Sequence, residues 1–179
     1  MSQPVYIVDV FEDIVAAVSA SLLTYLQTID STITKVLFEY GHRADINERI
    51  ITYGKQGVNF CPMIILFEDY KLKHGDIGYT GITDLTLIII YYTKIAITRR
   101  EREENVFRPI LYPVYNELLN QLKANGSFSI YDTTKIQHTQ VNRPHWGDPD
   151  LYKEYPLKGV FDGIEISNLQ LKTFLNNCL

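Results

Sequence analysis

Residues Asp84–Ile97 read DLTLIIIYYTKIAI, and this stretch decides the class of fold. Isoleucine, tyrosine and threonine favour a strand, in which successive side chains point to opposite faces. The apolar side chains on the first face are Leu85, Leu87, Ile89 and Tyr91, and those on the second are Ile88, Ile90 and Tyr92. A strand that is apolar on both faces is typical of the centre of a sheet whose two faces are both covered by other parts of the protein. We therefore expect helices of this chain on one face and a second cover on the other.

The residues that precede this strand predict two helices and two further strands. Over Asp9–Ile29 apolar residues recur every three or four positions, which indicates a long amphipathic helix. Thr34–Tyr40 and the apolar Pro62–Phe67 predict strands, and a short helix that begins at Asp45 is expected between them. The charged, glycine-containing stretch Glu68–Gly81 predicts a long hairpin arm.

The residues that follow predict a second long helix. Thr98 and Glu101 have the spacing of a capping box, and helical periodicity continues to Leu122. A proline inside a helix removes a hydrogen bond and crowds the preceding turn, so Pro109 and Pro113 predict a kink or a break.

Two more strands are expected after this helix, over Phe128–Thr139 and Val160–Phe174. The second begins with a turn at Asp162–Gly163, and its alternation slips by one residue before Leu169. Together the elements predict one α+β domain over residues 1–179. It has a mostly antiparallel sheet of four to six strands, with the long N-terminal helix and a kinked second helix packed on one face.

The composition excludes disorder and argues against general nucleic-acid binding. Hydrophobic residues make up 46% of the 179-residue chain, which is enough apolar surface to offset the entropy lost on folding. The formal charge is -4, whereas neutralising phosphates requires clustered Lys and Arg. The apolar runs are shorter than the roughly 20 residues of a membrane-spanning helix, so no membrane partner is expected. The two cysteines indicate neither a disulfide framework nor a zinc site, which is typical of a cytoplasmic protein.

No pattern in the chain points to a metal or a cofactor. The four histidines lack ligand spacing, and no glycine-rich phosphate loop or dinucleotide fingerprint is present. One alternative function is a Mg²⁺-dependent nuclease, because Glu68, Asp69 and Lys71 follow a buried strand and Glu39 could supply a further carboxylate. Charged residues commonly leave a buried strand for a loop, which is the simpler interpretation.

The thirteen tyrosines favour a protein–protein interface. Tyrosine and tryptophan are enriched where one side of a residue is apolar and the other is wet, as at contacts between proteins. A cytoplasmic dimeric adaptor module is therefore a second alternative function.

Three segments carry a resemblance to a known family. They are Phe60–Leu66 (FCPMIIL), Leu85–Thr93 (LTLIIIYYT), which follows the arm and precedes an arginine-rich helix, and the closing Gly163–Leu171 (GIEISNLQL). In this order they resemble the small neck and tail-completion proteins of tailed bacteriophages, the tail terminators above all.

The resemblance implies a structural virion protein with no catalytic, metal-binding or cofactor-binding residues. The chain would be one protomer of a homo-oligomeric ring at the head–tail junction or upper tail, assembled in the host cytoplasm. Its other partners would be the neighbouring portal, connector and tail proteins, and DNA would pass through the ring without specific binding. A head-to-tail contact between identical copies closes into a ring, and either an exposed sheet edge or the second sheet face would supply that contact. We expect the neighbouring copy to cover the strands that are apolar on both faces and the surplus tyrosines.

The resemblance also implies where the rings above and below would be contacted. We expect these contacts in the loops Tyr70–Gly81 and Asn142–Asp150. The candidate contact residues, in these loops and on the second face of the central strand, are Tyr70, Lys71, Lys73, His74, Tyr79, Ile88, Ile90, Tyr92, His145 and Trp146.

Overall fold

The computed structural model describes residues 6–56, 59–74, 80–93, 97–130, 136–142 and 160–173. The helices are α1 (Ile7–Ile29), α2 (Arg43–Gln56), α3 (Arg99–Arg102) and α4 (Tyr112–Ala124), with a π-helix (Glu103–Leu111) between α3 and α4. The strands are β1 (Leu37–Gly41), β2 (Met63–Phe67), β3 (Lys71–His74), β4 (Thr80–Thr93), β5 (Phe128–Ile130), β6 (Gln137–Asn142) and β7 (Val160–Thr173). None of the described helices combines the length and the apolarity that a membrane span requires.

The described strands form a single seven-stranded sheet whose main path runs β1-β2-β4-β7-β5. β3 pairs with β4 on the same side as β2, and β6 pairs with β7 on the same side as β5. Only β1 and β2 are parallel among these pairs. The predicted α+β class with a mostly antiparallel sheet is confirmed, and so is the hairpin arm, because β3 and β4 pair through Lys71 and Thr83.

The first face of the sheet is covered by α1, the π-helix and α4. Their buried side chains, such as Phe11, Phe107 and Leu118, share one apolar core with Leu87 and Ile164 of the two central strands. The predicted packing of both long helices on one face is therefore confirmed.

The second face is covered by α2 of the same chain. Ile46 and Ile50 of α2 form a second apolar core with Met63, Ile88 and Ile90. All five are buried, and Ile88 and Ile90 are 0% exposed. The prediction that Ile88 and Ile90 contact a neighbouring subunit is therefore wrong, because α2 already shields them from solvent and from any partner.

Beside β6, the described part of the second face carries mainly polar side chains. Thr139 of β6 is exposed and pairs with Glu165 of β7, and Ser167 follows on the same face. Polar side chains need no apolar cover. The expectation that a neighbouring copy shields a large apolar area of this face is wrong for the described residues.

The two longest strands, β4 and β7, bend together at a pair of bulges. Asp84 and Asn168 have positive φ values of 61° and 57°, and each immediately precedes a member of the cross-strand pair Leu85–Leu169. The extra residue restores Leu85 and Leu169 to the first face, where both are buried. The slip predicted before Leu169 is this bulge.

The second long helix keeps one continuous path through the π-helix. Thr98 and Glu101 form the predicted capping box, and Pro109 lies inside the π-helix rather than at the start of a new helix. The backbone N–H of Tyr112 donates to the carbonyl of Phe107, five residues earlier, as π-helical winding requires. The break that the prolines predicted is thus a change of winding.

Two strand predictions need correction. Asp162 and Gly163 lie within β7, where they pair with Tyr91 and Ile90, so the turn predicted there is wrong. The stretch predicted as one strand over Phe128–Thr139 contains two described strands, β5 and β6, which pair with different parts of β7.

Candidate interaction surface

Among the described strands, the sheet ends in an open edge on each side, and these two edges are the candidate interaction surface. β1 pairs with β2 alone, and β6 pairs with β7 alone, among the described strands. An edge strand presents unpaired N–H and C=O groups to which another strand can add. Proteins commonly guard such edges with lysine, proline or a bulge, and neither LFEYG of β1 nor QHTQVN of β6 contains lysine or proline.

The hydrogen bonds of β1 show which of its groups face outward. The N–H of Leu37 donates to the carbonyl of Pro62, at 2.9 Å, on the β2 side. Because successive residues of a strand direct their backbone groups to opposite sides, Phe38 and Tyr40 face away from β2. The guanidinium of Arg49 donates to the Tyr40 carbonyl at 3.2 Å, which leaves the N–H of both residues and the Phe38 carbonyl at the edge.

A buried carboxylate fastens α2 onto β1. Glu39 accepts hydrogen bonds from the Arg49 guanidinium, at 2.6 Å, and from the Tyr53 hydroxyl. The hydrogen bond to Glu39 raises the pKa of Arg49, and together with burial it raises the pKa of Tyr53. The Arg49 side chain remains 49% exposed, so it places a positive charge beside the outer edge of β1.

The β6 edge is held by side chains of the π-helix and α4. The Gln140 amide donates to the Tyr112 hydroxyl at 2.8 Å and to Glu103 at 3.4 Å. The His138 ring lies 4.7 Å from that of Tyr115, centroid to centroid. These contacts lie on the first face of the sheet and hold β6 against the helices. Four consecutive residues of β6, 137–140, nevertheless remain exposed.

An aromatic row crosses the second face and ends at Tyr92. Ring centroids are 5.7 Å apart for Tyr53 and Phe60, 5.8 Å for Phe60 and Phe161, and 5.7 Å for Phe161 and Tyr92. Tyr92 is 41% exposed, so of the predicted contact residues on the central strand it alone reaches solvent.

The remaining predicted contact residues lie in different environments and do not form one surface among the described residues. Tyr70 is partly buried against the first core, whereas Lys71 is exposed and forms an ion pair with Asp84 at 2.8 Å, which raises the pKa of Lys71. Lys73 and His74 lie in β3, opposite Gly81 and Thr80, so this part of the predicted loop is a strand. Outside the described residues lie Tyr79, His145, Trp146 and all of the loop Asn142–Asp150 except Asn142.

Three residues of the alternative nuclease site have separate partners, and the fourth, Glu68, is exposed. Glu39 is held by Arg49 and Tyr53, Asp69 lies 3.6 Å from Arg43, and Lys71 pairs with Asp84. Within the described ranges no group of three His, Cys, Asp or Glu residues is placed to hold a metal ion.

The sequence allowed for a contact through an exposed sheet edge, but it did not identify which strands form the edges, and it did not identify Arg49. One signal was present, because Ile46, Ile50 and Tyr53 lie three or four residues apart and share a helical stripe with Arg49. β1 and β6 carry no comparable signal, because the position of a strand at the edge of a sheet depends on the order of all the strands and not on its own residues.

No protein-family model matches the chain. No curated protein matches it either.

Proposed function

We propose that the chain is a non-enzymatic structural protein that assembles into a ring at the head–tail junction or upper tail of a tailed bacteriophage. The observation that supports this most directly is that β1 and β6, on opposite sides of one sheet, each pair with a single strand among the described residues. A contact between two different surfaces of identical subunits is head-to-tail, and such contacts generate closed rings when the rotation between neighbours closes.

The charge of the chain fits a conduit for DNA. A formal charge of -4 leaves no excess of basic residues to neutralise phosphates, so DNA can slide through without tight binding. The clustered arginines of α3 and the π-helix are offset by neighbouring acids, since Arg100 pairs with Glu104 and Arg108 with Glu103.

Electron microscopy and mass photometry of the purified chain test the assembly. We expect closed rings of more than two copies at micromolar concentration. A dimer as the largest species at every concentration would contradict the proposal and favour the adaptor. A plasmid-nicking assay with and without Mg²⁺ tests the non-enzymatic part, for which we expect no cleavage; metal-dependent nicking would favour the nuclease.

Antibody labelling tests the position in the particle. Gold-labelled antibodies against the chain should bind purified virions at the junction of head and tail or at the upper tail. Labelling of the capsid shell or tail tip, or absence of the chain from purified virions, would overturn the assignment.

A further inference from the structure

We propose that β1 of one copy pairs antiparallel with β6 of the next, so that the sheet continues from subunit to subunit. This inference rests on the proposed ring and names the surface that would build it. The occupant of each open edge is therefore a second copy of this chain.

The strand directions make this pairing antiparallel. β1 and β2 run the same way, β4 runs against them, β7 runs against β4, and β6 runs against β7, so β6 is opposite in direction to β1. A rotation about an axis close to the strand direction preserves these directions in the next copy. β1 then meets an oppositely directed β6, and the two strands match in length, with five and six residues.

The backbone groups at the β1 edge suit such a pairing. The N–H groups of Phe38 and Tyr40 and the carbonyl of Phe38 face outward and have no partner among the described residues. Alternate residues of β6 necessarily face away from β7 in the same manner. Joining the two edges would satisfy these groups without burying the polar side chains of β6.

A partly exposed arginine, already paired with Glu39 of its own chain, lies beside β1, and an acidic residue lies beside β6. Arg49 lies over the second face next to β1, and Glu165 lies on the second face next to β6, opposite Thr139. A β1–β6 contact brings Arg49 of one copy toward Glu165 of the next. Pairing β6 with β6 would instead bring Glu165 of one copy toward Glu165 of the other, which disfavours that two-fold contact.

Cross-linking in a Cys178→Ser background tests the pairing. The remaining native thiol, Cys61, is buried, and burial raises its pKa, so it reacts slowly with maleimides. Tyr40→Cys and Gln140→Cys chains are prepared separately, mixed and treated with a short bismaleimide. We expect a covalent dimer in the mixture, at least tenfold more abundant than with either variant alone.

The outcomes separate this inference from the proposed function. A dimer that forms equally well with one variant alone would overturn the β1–β6 pairing in favour of a two-fold contact. Rings seen by electron microscopy without the mixed dimer would overturn the pairing and leave the ring intact. Open filaments that give the mixed dimer would support the pairing and overturn the ring. A chain that stays monomeric and gives no dimer would overturn both.

Two proline variants provide a matched control. Thr139 and Gln140 are adjacent in β6, so one N–H faces β7 and the other faces outward. Thr139→Pro and Gln140→Pro are each compared with the alanine variant of the same residue, which removes the same side chain, including the Gln140 hydrogen bonds to Tyr112 and Glu103. Relative to its alanine variant, we expect one proline variant to keep the thermal midpoint and lose assembly, and the other to lower the midpoint. Full assembly by both proline variants would contradict the proposal.

Discussion

The guanidinium of Arg102 lies 2.6 Å from the carboxylate of Asp162, and the two side chains are only 7% and 0% exposed. Arg102 ends α3 directly before the π-helix, and Asp162 lies in β7 opposite Tyr91. The second carboxylate oxygen of Asp162 is buried without a hydrogen-bond partner among the described residues. The pair therefore joins the start of the π-helix to the centre of the sheet at the expense of an unsatisfied oxygen.

Removing one member of this pair should be severely destabilising. Asp162→Ala leaves the Arg102 charge buried without its partner, and we expect the free energy of unfolding to fall by about 3–5 kcal/mol. The double substitution Arg102→Met with Asp162→Ala should cost less than Asp162→Ala alone, because no charge then remains buried. Urea unfolding of the three proteins measures these differences.

Arg100→Met is the matched control for this experiment. Arg100 forms an exposed ion pair with Glu104 at 2.8 Å, and exposed pairs contribute at most about 1 kcal/mol. If Asp162→Ala cost no more than Arg100→Met, the buried pair would not stabilise the fold.

Gly163 should not tolerate even a methyl group. A Cβ atom there would lie 2.8 Å from the carbonyl oxygen of Ile89 on the neighbouring strand. The obstacle is backbone of a central strand, so we expect Gly163→Ala to lower the free energy of unfolding by about 1–3 kcal/mol. Gly126→Ala is the control, since a Cβ at Gly126 meets nothing within 4 Å. Equal stability of the two variants in urea would show that β4 moves aside at no cost.

The same glycine shows where sequence reasoning stops. An Asp-Gly pair is typical of a turn, so Asp162–Gly163 was predicted as one from local chemistry. In the fold, the identity of each residue is explained by a contact with a distant part of the chain. Asp162 neutralises Arg102, 60 residues away, and Gly163 leaves room for the carbonyl oxygen of Ile89. Neither contact is visible in a window of neighbouring residues.

Features with local causes were predictable. The capping box at Thr98 depends on Glu101, three residues away, and the slip before Leu169 is visible in the alternation of one strand. The packing of α2 on the second face was not predictable, because α2 has only two buried residues, Ile46 and Ile50, and so gives a weak apolar pattern in the sequence. The open edges depend on how all the strands are ordered, which no single segment encodes.

The bulge at Asn168 should require a residue that tolerates positive φ. Asn168 is exposed and has a φ of 57°, a conformation open to glycine and, less readily, to asparagine. We expect Asn168→Ala to lower the free energy of unfolding by about 1 kcal/mol and Asn168→Gly to change it by less than about 0.5 kcal/mol. Chemical denaturation of both variants tests this, and equal losses would mean that the Asn168 side chain, rather than its backbone, stabilises the bulge.

The contact between Tyr91 and Asp30 should make part of the stability depend on pH. The Tyr91 hydroxyl donates to Asp30 at 2.5 Å, joining the central strand to the end of α1. Burial alone would raise the pKa of Asp30, but hydrogen bonds from Thr32 and Tyr91 outweigh it and lower the pKa below the ordinary 3.8. Burial, followed by the bond to Asp30, raises the pKa of Tyr91 above the ordinary 10.0.

Tyr91→Phe isolates this contribution. A carboxyl group whose pKa is lowered on folding contributes stability above pH 3.8, and this stability is lost as the pH falls through the folded pKa. A tyrosine whose pKa is raised on folding contributes stability below pH 10.0, and this stability is lost as the pH rises from there toward the folded pKa. The stability difference between the unsubstituted chain and Tyr91→Phe should therefore be largest at neutral pH and shrink toward both extremes. Urea unfolding at about pH 3, 7 and 11 measures it, with Tyr25→Phe, at an exposed tyrosine, as the control. A difference that is constant across these pH values would show that Tyr91 stabilises the fold through packing alone.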